Sequence, residues 1–185
     1  MKKVTSICFC GLFCALFFAI SNLMPSVIVF GNVPLTMQIF AVALMAYLLD
    51  LRYALLTYAT IVVMTLCGIP MMSSLSSGVY ALIGPTAGYI AGWLLLMLMI
   101  SLGKNVAKKA RGDVPKTVAV ISFTVLGLLL VYAAGSAWLT AYVNFQMGFS
   151  GFLSLFLSNI TAFLLFDLIK VIAAYAVCKF LKKFI

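Results

Sequence analysis

The sequence predicts an all-α integral membrane protein with six transmembrane helices and both termini in the cytoplasm. Of the 185 residues, 66% are apolar and 8% are charged, and the mean hydropathy is +1.26. Because a soluble domain carries about 25% charged residues, this composition excludes a soluble globular domain, a disordered chain and a disulfide scaffold. One membrane-spanning helix needs about 20 apolar residues, so the chain can form about six.

Recognisable breaks separate the predicted helices of this single domain, which covers residues 1–185. Gly31-Asn32-Val33-Pro34 and Gly68-Ile69-Pro70 are turn signals, and Asp50-Leu51-Arg52 is a charged break. Residues 103–116 are polar and basic, and residues 144–151 form a polar connection that contains glycine. The predicted spans cover residues 5–29, 35–49, 53–69, 79–102, 117–138 and 153–178.

The positive charges indicate the orientation. With six spans, eleven of the twelve Lys and Arg residues fall on one side of the membrane: Lys2, Lys3, Arg52, Lys104, Lys108, Lys109, Arg111, Lys116, Lys179, Lys182 and Lys183. The positive-inside rule assigns this side to the cytoplasm. The formal net charge of +9 is therefore an orientation signal rather than a sign of nucleic-acid binding.

Few reactive groups are available for catalysis. The sequence has no His, three acids (Asp50, Asp113 and Asp167) and five cysteines that lie in apolar runs without a CxxC pair. It also lacks the GxxxxGK[ST] loop that binds nucleotide phosphates. We therefore predict no catalytic residue, no metal site and no cofactor, and the chain should not bind ATP by that mechanism.

Two charges interrupt the last apolar segment. Asp167 and Lys170 are three residues apart, so they share one helix face with their Cβ atoms about 5–6 Å from each other. Charges inside the hydrocarbon core usually face a cavity or a partner. Asp167 lies 12 residues before Lys179, or roughly 18 Å along a helix, which places it about 12 Å below the outer face of a core about 30 Å thick. The alternative is an ion pair that only holds helices together.

Further polar residues fall on the outer side of the predicted topology. Glycine and proline in Gly84-Pro85-Thr86-Ala87-Gly88-Tyr89 free backbone groups, which is tolerated where the backbone is buried or lines a cavity. We predict an outward-facing pocket with apolar walls, for a small and partly apolar ligand with amide-like or carboxylate groups. A carboxylate can accept two N–H donors, and a lysine suits an anion or a carbonyl. The candidate ligand contacts are Asp167, Lys170, Gln38, Thr36, Ser76, Gly78, Thr86, Tyr89 and Asn159.

Five motifs follow one another along the chain: Val33-Pro34-Leu35-Thr36-Met37-Gln38, Gly68-Ile69-Pro70, Gly84-Pro85-Thr86-Ala87-Gly88-Tyr89, Gly135-Ser136-Ala137-Trp138-Leu139 and Phe163-x-x-x-Asp167-x-x-Lys170. With these motifs in this order, the chain over residues 11–178 resembles the BioY family, the biotin-binding S components of energy-coupling factor (ECF) transporters. Some relatives have Pro-Gly just before the aspartate, where this chain has Leu165-Phe166.

This resemblance implies a six-helix S-component fold that captures biotin at the outer face of a bacterial cytoplasmic membrane. It assigns Asp167 and Lys170 to the binding site. It also implies partners, namely a membrane scaffold subunit and two cytoplasmic ATPase subunits.

A stripe of small residues lies on the first predicted helix. Gly11, Ala15 and Ala19 are spaced four apart, which permits the close approach of another helix. The resemblance implies that the face with Ala15 and Ala19 contacts the scaffold subunit. On spacing alone, packing within this chain is an equal alternative.

Three other functions remain open at this point. The chain could be an S component for another small vitamin or heterocycle. It could be a self-sufficient secondary carrier that uses Asp167 for proton coupling. A membrane enzyme comes last, because no nucleophile–base pair can be assigned.

Overall fold

The computed structural model describes residues 3–23, 27–30, 33–143 and 148–184, which form helices and one small antiparallel strand pair. The elements are α1 (Lys3–Leu23), β1 (Val27–Phe30), β2 (Val33–Leu35), α2 (Gln38–Leu48), α3 (Leu51–Leu66), α4 (Gly78–Ile83), α5 (Ala87–Lys109), α6 (Asp113–Val143) and α7 (Gly148–Leu181). A 3-10 turn at Ser73–Leu75 precedes α4. The predicted all-α class is confirmed.

Within these ranges, α1, α5, α6 and α7 are long and apolar enough to cross a membrane. The other two apolar helices are shorter, since α2 has 11 residues and α3 has 16. At 1.5 Å per residue these helices are about 16 and 24 Å long, less than a hydrocarbon core of about 30 Å. The count of six spans therefore stays a prediction.

The first predicted span, 5–29, extends too far. Helix α1 ends at Leu23, and Val27–Phe30 pairs with Val33–Leu35 as an antiparallel ladder. Two sequence features explain the difference. Pro25 lacks the amide hydrogen that a continuing helix needs, and β-branched and aromatic residues at 27–30 favour a strand. The predicted turn at Gly31 and Asn32 and the start of the predicted connection, residues 144–147, lie outside the described residues.

The boundaries of the later spans also shift. The predicted span 79–102 is two helices, α4 and α5, with a break at Gly84-Pro85-Thr86. Helix α5 continues to Lys109 and α6 begins at Asp113, so most of the predicted basic loop is helical, and the turn at Gly112 has a φ of 91°. Lys108 and Lys109 in the last turn of α5 complement the negative end of the helix dipole.

Glycines bring the backbones of α5 and α6 close together. A Cβ added to Gly92 would lie 2.9 Å from Val131 Cα, and one added to Gly103 would lie 2.9 Å from Phe123 Cβ. Real Cβ atoms do not approach other atoms so closely. Small residues permit such contact between membrane helices, whose association relies on van der Waals packing.

The basic helix ends collect at one end of the bundle. Lys104 Nζ donates hydrogen bonds to the carbonyl oxygens of Ala46 (3.0 Å) and Leu49 (2.6 Å), which joins the C-terminal ends of α5 and α2. These are carbonyls that the end of a helix leaves without an intrahelical partner. Cys10 Sγ contacts the carbonyl of Tyr53 at 3.6 Å, so α1 and α3 begin at this same end. We call it the lysine-rich end.

Candidate ligand-binding site

The predicted charge pair exists inside α7. Lys170 Nζ lies 2.8 Å from Asp167 Oδ1, and the two side chains are only 9% and 3% exposed. The one-turn spacing of the two residues places both on the buried face of the helix. Because each charge neutralises the other, the cost of burying both is lower than the cost of burying one alone.

Two further contacts hold the pair in place. The hydroxyl of Tyr132 donates a hydrogen bond of 2.8 Å to Asp167 Oδ2, and Lys170 Nζ donates one of 2.8 Å to the carbonyl oxygen of Thr36. The pair therefore connects α7 to α6 and to the segment just before α2. Each carboxylate oxygen has two lone pairs, so Asp167 keeps acceptor positions for a ligand.

A cavity lies beside this carboxylate. Its polar lining comes from Thr36, Gln38, Ser73, Thr86, Tyr89, Tyr132 and Asp167. Its apolar walls come from Leu35, Ile39, Met72, Ile90, Trp93, Val131 and Phe163. Pockets for small molecules combine apolar walls with a few polar groups in this way. The structure thus brings five of the predicted ligand contacts to one cavity: Thr36, Gln38, Thr86, Tyr89 and Asp167.

Hydrogen bonds orient Gln38 at one side of the cavity. Its Nε2 donates to Ser21 Oγ of α1 at 3.2 Å, and Thr36 Oγ1 donates to its Oε1 at 3.1 Å. The side chain is 5% exposed. The amide is therefore fixed between α1 and α2, and its direction depends on both helices.

Two motifs that are far apart in the sequence, at residues 84–89 and 135–139, meet at the other side of the cavity. Trp138 Nε1 donates to the carbonyl of Gly84 at 2.9 Å, and the ring of Tyr89 packs directly on Gly135 in the space that a Cβ would fill. Asn159 Nδ2 donates to the hydroxyl oxygens of Tyr89 (2.7 Å) and Ser136 (2.8 Å). Asn159 is therefore placed behind Tyr89, where it orients a residue of the cavity wall.

Ser76 and Gly78 are not among the described residues that line the cavity. Ser76 is exposed in the loop before α4, whereas Ser73 of the same loop does line the cavity. Asn22 holds this loop against α1, because its Nδ2 donates to the carbonyl of Pro70 at 2.7 Å and its Oδ1 accepts from the amide of Leu75 at 3.0 Å. Ligand contact by Ser76 and Gly78 stays a prediction.

Sequence reasoning missed Tyr132 and Trp93. Both are buried, at 1% and 4% exposure, and both line the cavity. One signal was available for Tyr132, since it lies deep in an apolar run and a buried tyrosine hydroxyl usually has a hydrogen-bond partner. No comparable signal distinguishes Trp93 from an aromatic residue of an ordinary helix interface.

The small-residue stripe of α1 faces away from the described core. A Cβ added to Gly11 would meet no described atom within 4 Å, and Ala15 is exposed and Ala19 half-buried. The buried face of α1 instead carries Phe13 and Phe17. Packing of this stripe against another described helix of the chain is therefore not observed.

The fold and the cavity together define a helical membrane protein with a cavity beside a buried ion pair. The chain belongs to the BioY family, because the model of that family matches residues 1–185. The predicted membership is confirmed, and the chain is a membrane protein of a transporter family.

Similar proteins agree with this membership. The chain is 33% identical over 158 residues to the biotin transporter BioY of Thermotoga maritima, covering 83% of each sequence. It is 31% identical over 153 residues to the biotin transporter BioY2 of Lactococcus lactis subsp. cremoris, covering 83% of this chain and 78% of that one.

A solved structure has the same fold. It is the crystal structure of the S-component for biotin from an ECF-type ABC transporter, and it superposes with a TM-score of 0.81 at 22% identity. The match covers 98% of this chain and 93% of the other. The predicted S-component fold is therefore confirmed.

Proposed function

We propose that this chain is the biotin-binding S component of an ATP-driven ECF uptake transporter in a bacterial cytoplasmic membrane. The observation that carries the proposal is the Asp167 carboxylate, which Tyr132 and Lys170 orient beside a cavity with aromatic and aliphatic walls. The chain's membership of the BioY family and its relatives named biotin transporters support the same ligand.

The chemistry of biotin suits this cavity. Its ureido ring offers two N–H donors, and the ionised Asp167 can accept both because a carboxylate has about four lone-pair positions. Its thiophane ring and aliphatic chain match walls such as Trp93 and Phe163. A pocket with buried polar groups discriminates strongly against analogues that leave those groups unpaired, so removal of the N–H donors should abolish tight binding.

We further propose six crossings of the membrane, with the pocket open to the outside and both termini in the cytoplasm. Helix α2 starts at the cavity with Gln38 and ends beside Lys104, and α3 returns from the lysine-rich end toward Met72 at the cavity. Together with α1, α5, α6 and α7 these helices give six passes between two ends. In α2, eight of its 11 residues are buried, so protein surrounds much of this short helix. A reporter active only in the cytoplasm, fused after Ile185, tests the orientation.

The same proposal includes a membrane scaffold subunit and two cytoplasmic ATPase subunits as partners. The stripe of Gly11, Ala15 and Ala19 on α1, which is exposed at Gly11 and Ala15 and half-buried at Ala19, is the surface we assign to the scaffold. Close helix contact through small residues does not require a charged interface.

Binding of labelled biotin to the purified chain tests the ligand. We expect saturable binding below micromolar ligand, and at least a ten-fold weaker affinity for Asp167→Asn. Asp113→Asn is the matched control, because this acid is exposed at the other end of the bundle. Absence of binding at micromolar biotin would contradict the proposal, and binding of another vitamin instead would indicate an S component of different specificity. Uptake of biotin by cells that contain this chain but lack the scaffold and ATPase subunits would favour a secondary carrier.

A further inference from the structure

A second cavity lies at the lysine-rich end, between α2, α5, α6 and α7. Its volume is about 480 Å³. Four lysines line it: Lys104 and Lys108 from α5, Lys116 from α6, and Lys182 just after α7. The hydroxyl-bearing rings of Tyr47 and Tyr175 also contribute to its walls.

This cavity is distinct from the candidate biotin site. In α5, Tyr89 lines the biotin site and Lys104 lines the lysine cavity. These two residues are 15 positions apart, which corresponds to about 22 Å along the helix. Asp167 and Lys182 of the α7 segment are separated by the same 15 positions. A ligand in one cavity therefore does not touch the other.

Among the described residues, no acid lines the second cavity, although two acids lie nearby. Asp113 belongs to a smaller adjoining cavity with Lys116, Lys179 and Lys182, and its Oδ2 lies 4.0 Å from Lys179 Nζ at an exposed position. Asp50 is exposed at the junction of α2 and α3.

Lys104 and Lys108 donate hydrogen bonds to neighbouring groups. Lys104 Nζ is held by the carbonyls of Ala46 and Leu49, and Lys108 Nζ donates to Asn105 Oδ1 at 3.3 Å. These partners are uncharged, so they leave the positive charge in place. Several ammonium groups from three chain segments around one concavity repel each other, and a bound anion removes that repulsion.

We propose that this cavity binds a phosphate group, supplied by the headgroup of an anionic phospholipid. The four lysines come from the ends of membrane-spanning helices, which is the level of lipid phosphates. Basic pockets between transmembrane helices bind anionic headgroups in this way. A free phosphate ion offers the same negatively charged oxygens, and addition of inorganic phosphate distinguishes it from a lipid headgroup.

The chain offers two matched pairs of lysines for the test. All four are exposed, but Lys108 and Lys182 line the cavity, whereas their sequence neighbours Lys109 and Lys183 are not among its described lining residues. The cavity variant is Lys108→Gln/Lys182→Gln, and the control variant is Lys109→Gln/Lys183→Gln. The two double variants remove equal charge at equal depth. A purely general attraction to anionic lipid predicts the same loss for both.

Native mass spectrometry of the full chain, purified from mixed phosphatidylglycerol and phosphatidylcholine, measures the lipid that remains bound. We expect the unaltered chain to retain more phosphatidylglycerol than phosphatidylcholine. The ratio of the two bound lipids should fall at least five-fold in the cavity variant and less than two-fold in the control variant. Equal loss in the two variants, or no preference for phosphatidylglycerol in the unaltered chain, would overturn the proposal. Size-exclusion profiles and circular dichroism check folding, and Lys116→Gln against Lys109→Gln repeats the comparison if a double variant unfolds.

Inorganic phosphate, added to the chain in phosphatidylcholine alone, distinguishes the two sources. Phosphate could raise the unfolding temperature of the unaltered chain and of the control variant but not that of the cavity variant. This result would support the site and would show that free phosphate is a sufficient ligand. If phosphate does not raise the unfolding temperature and the unaltered chain retains phosphatidylglycerol, the result would support the site with the lipid as the source of the phosphate group. An equal rise in both variants would contradict a specific cavity.

Discussion

The hydroxyl of Tyr132 in α6 donates a hydrogen bond of 2.8 Å to Oδ2 of Asp167 in α7, while Lys170 occupies the other carboxylate oxygen. The carboxylate is therefore held from two sides in a fixed direction. Because a ligand need not reorganise a group that is already oriented, such pre-organisation favours tight binding. Tyr132 thus links the packing of α6 and α7 to the chemistry of the candidate site.

Replacement of Tyr132 by phenylalanine should weaken biotin binding about ten-fold. Hydrogen bonds to charged groups contribute about 1.5–3 kcal/mol, and the aromatic wall stays in place. Equilibrium binding of labelled biotin measures the effect. Tyr142→Phe is the control, since Tyr142 is 49% exposed and should bind as the unaltered chain does. An unchanged affinity for Tyr132→Phe would mean that its hydroxyl has no part in binding.

Lys170→Met should destabilise the fold by about 3–5 kcal/mol, because it leaves the buried Asp167 without its counter-charge. The double variant Asp167→Asn/Lys170→Met should recover part of this loss and still fail to bind biotin. Thermal unfolding in detergent compares the variants. Lys179→Met removes an exposed pair with Asp113 at 4.0 Å, so it should cost less than about 1 kcal/mol. Additive effects of Asp167→Asn and Lys170→Met would argue against energetic coupling of the pair.

Gly135→Ala should weaken biotin binding, because the new methyl group would overlap the ring of Tyr89. Forcing extra atoms into a packed interior costs about 1–3 kcal/mol, and displacement of Tyr89 would also break its hydrogen bond with Asn159. The matched control is Gly11→Ala, where an added Cβ meets no described atom within 4 Å. Binding and unfolding temperature are measured for both. Normal affinity in Gly135→Ala would show that the position of Tyr89 does not matter.

Ala15→Leu should lower biotin uptake at least five-fold in cells that contain the scaffold and ATPase subunits, while the purified variant still binds biotin. The larger side chain would hold α1 away from a closely packed partner helix. Ala91→Leu on α5 is the control, since Ala91 is also exposed within a membrane helix. Uptake equal to that of the control would place the scaffold contact elsewhere.

Local sequence information was sufficient for part of the candidate site. The pairing of Asp167 with Lys170 depends only on helical spacing, and the break at Gly84-Pro85-Thr86 depends on the chemistry of proline and glycine. The boundary errors arose where local preferences competed. At residues 27–30 a continuous apolar run predicts helix, whereas these residues form a strand.

The remaining cavity residues could not be predicted in this way. Tyr132 reaches Asp167 across 35 positions, and Asn159 reaches Tyr89 across 70. These contacts depend on how each helix is rotated about its axis. In a membrane protein the apolar pattern gives little information on rotation, because lipid-facing and core-facing side chains are similarly apolar.

The sequence by itself determined the membrane class, the grouping of the lysines and the charged pair in α7, since hydropathy, charge position and one-turn spacing are local properties. The tertiary structure decided which aromatic residues surround the carboxylate, where Asn159 acts and that four lysines share a cavity. The glycine contacts between α5 and α6 illustrate the physical reason. Backbone approach and helix rotation are set jointly by two segments, so neither segment alone specifies the site that they form.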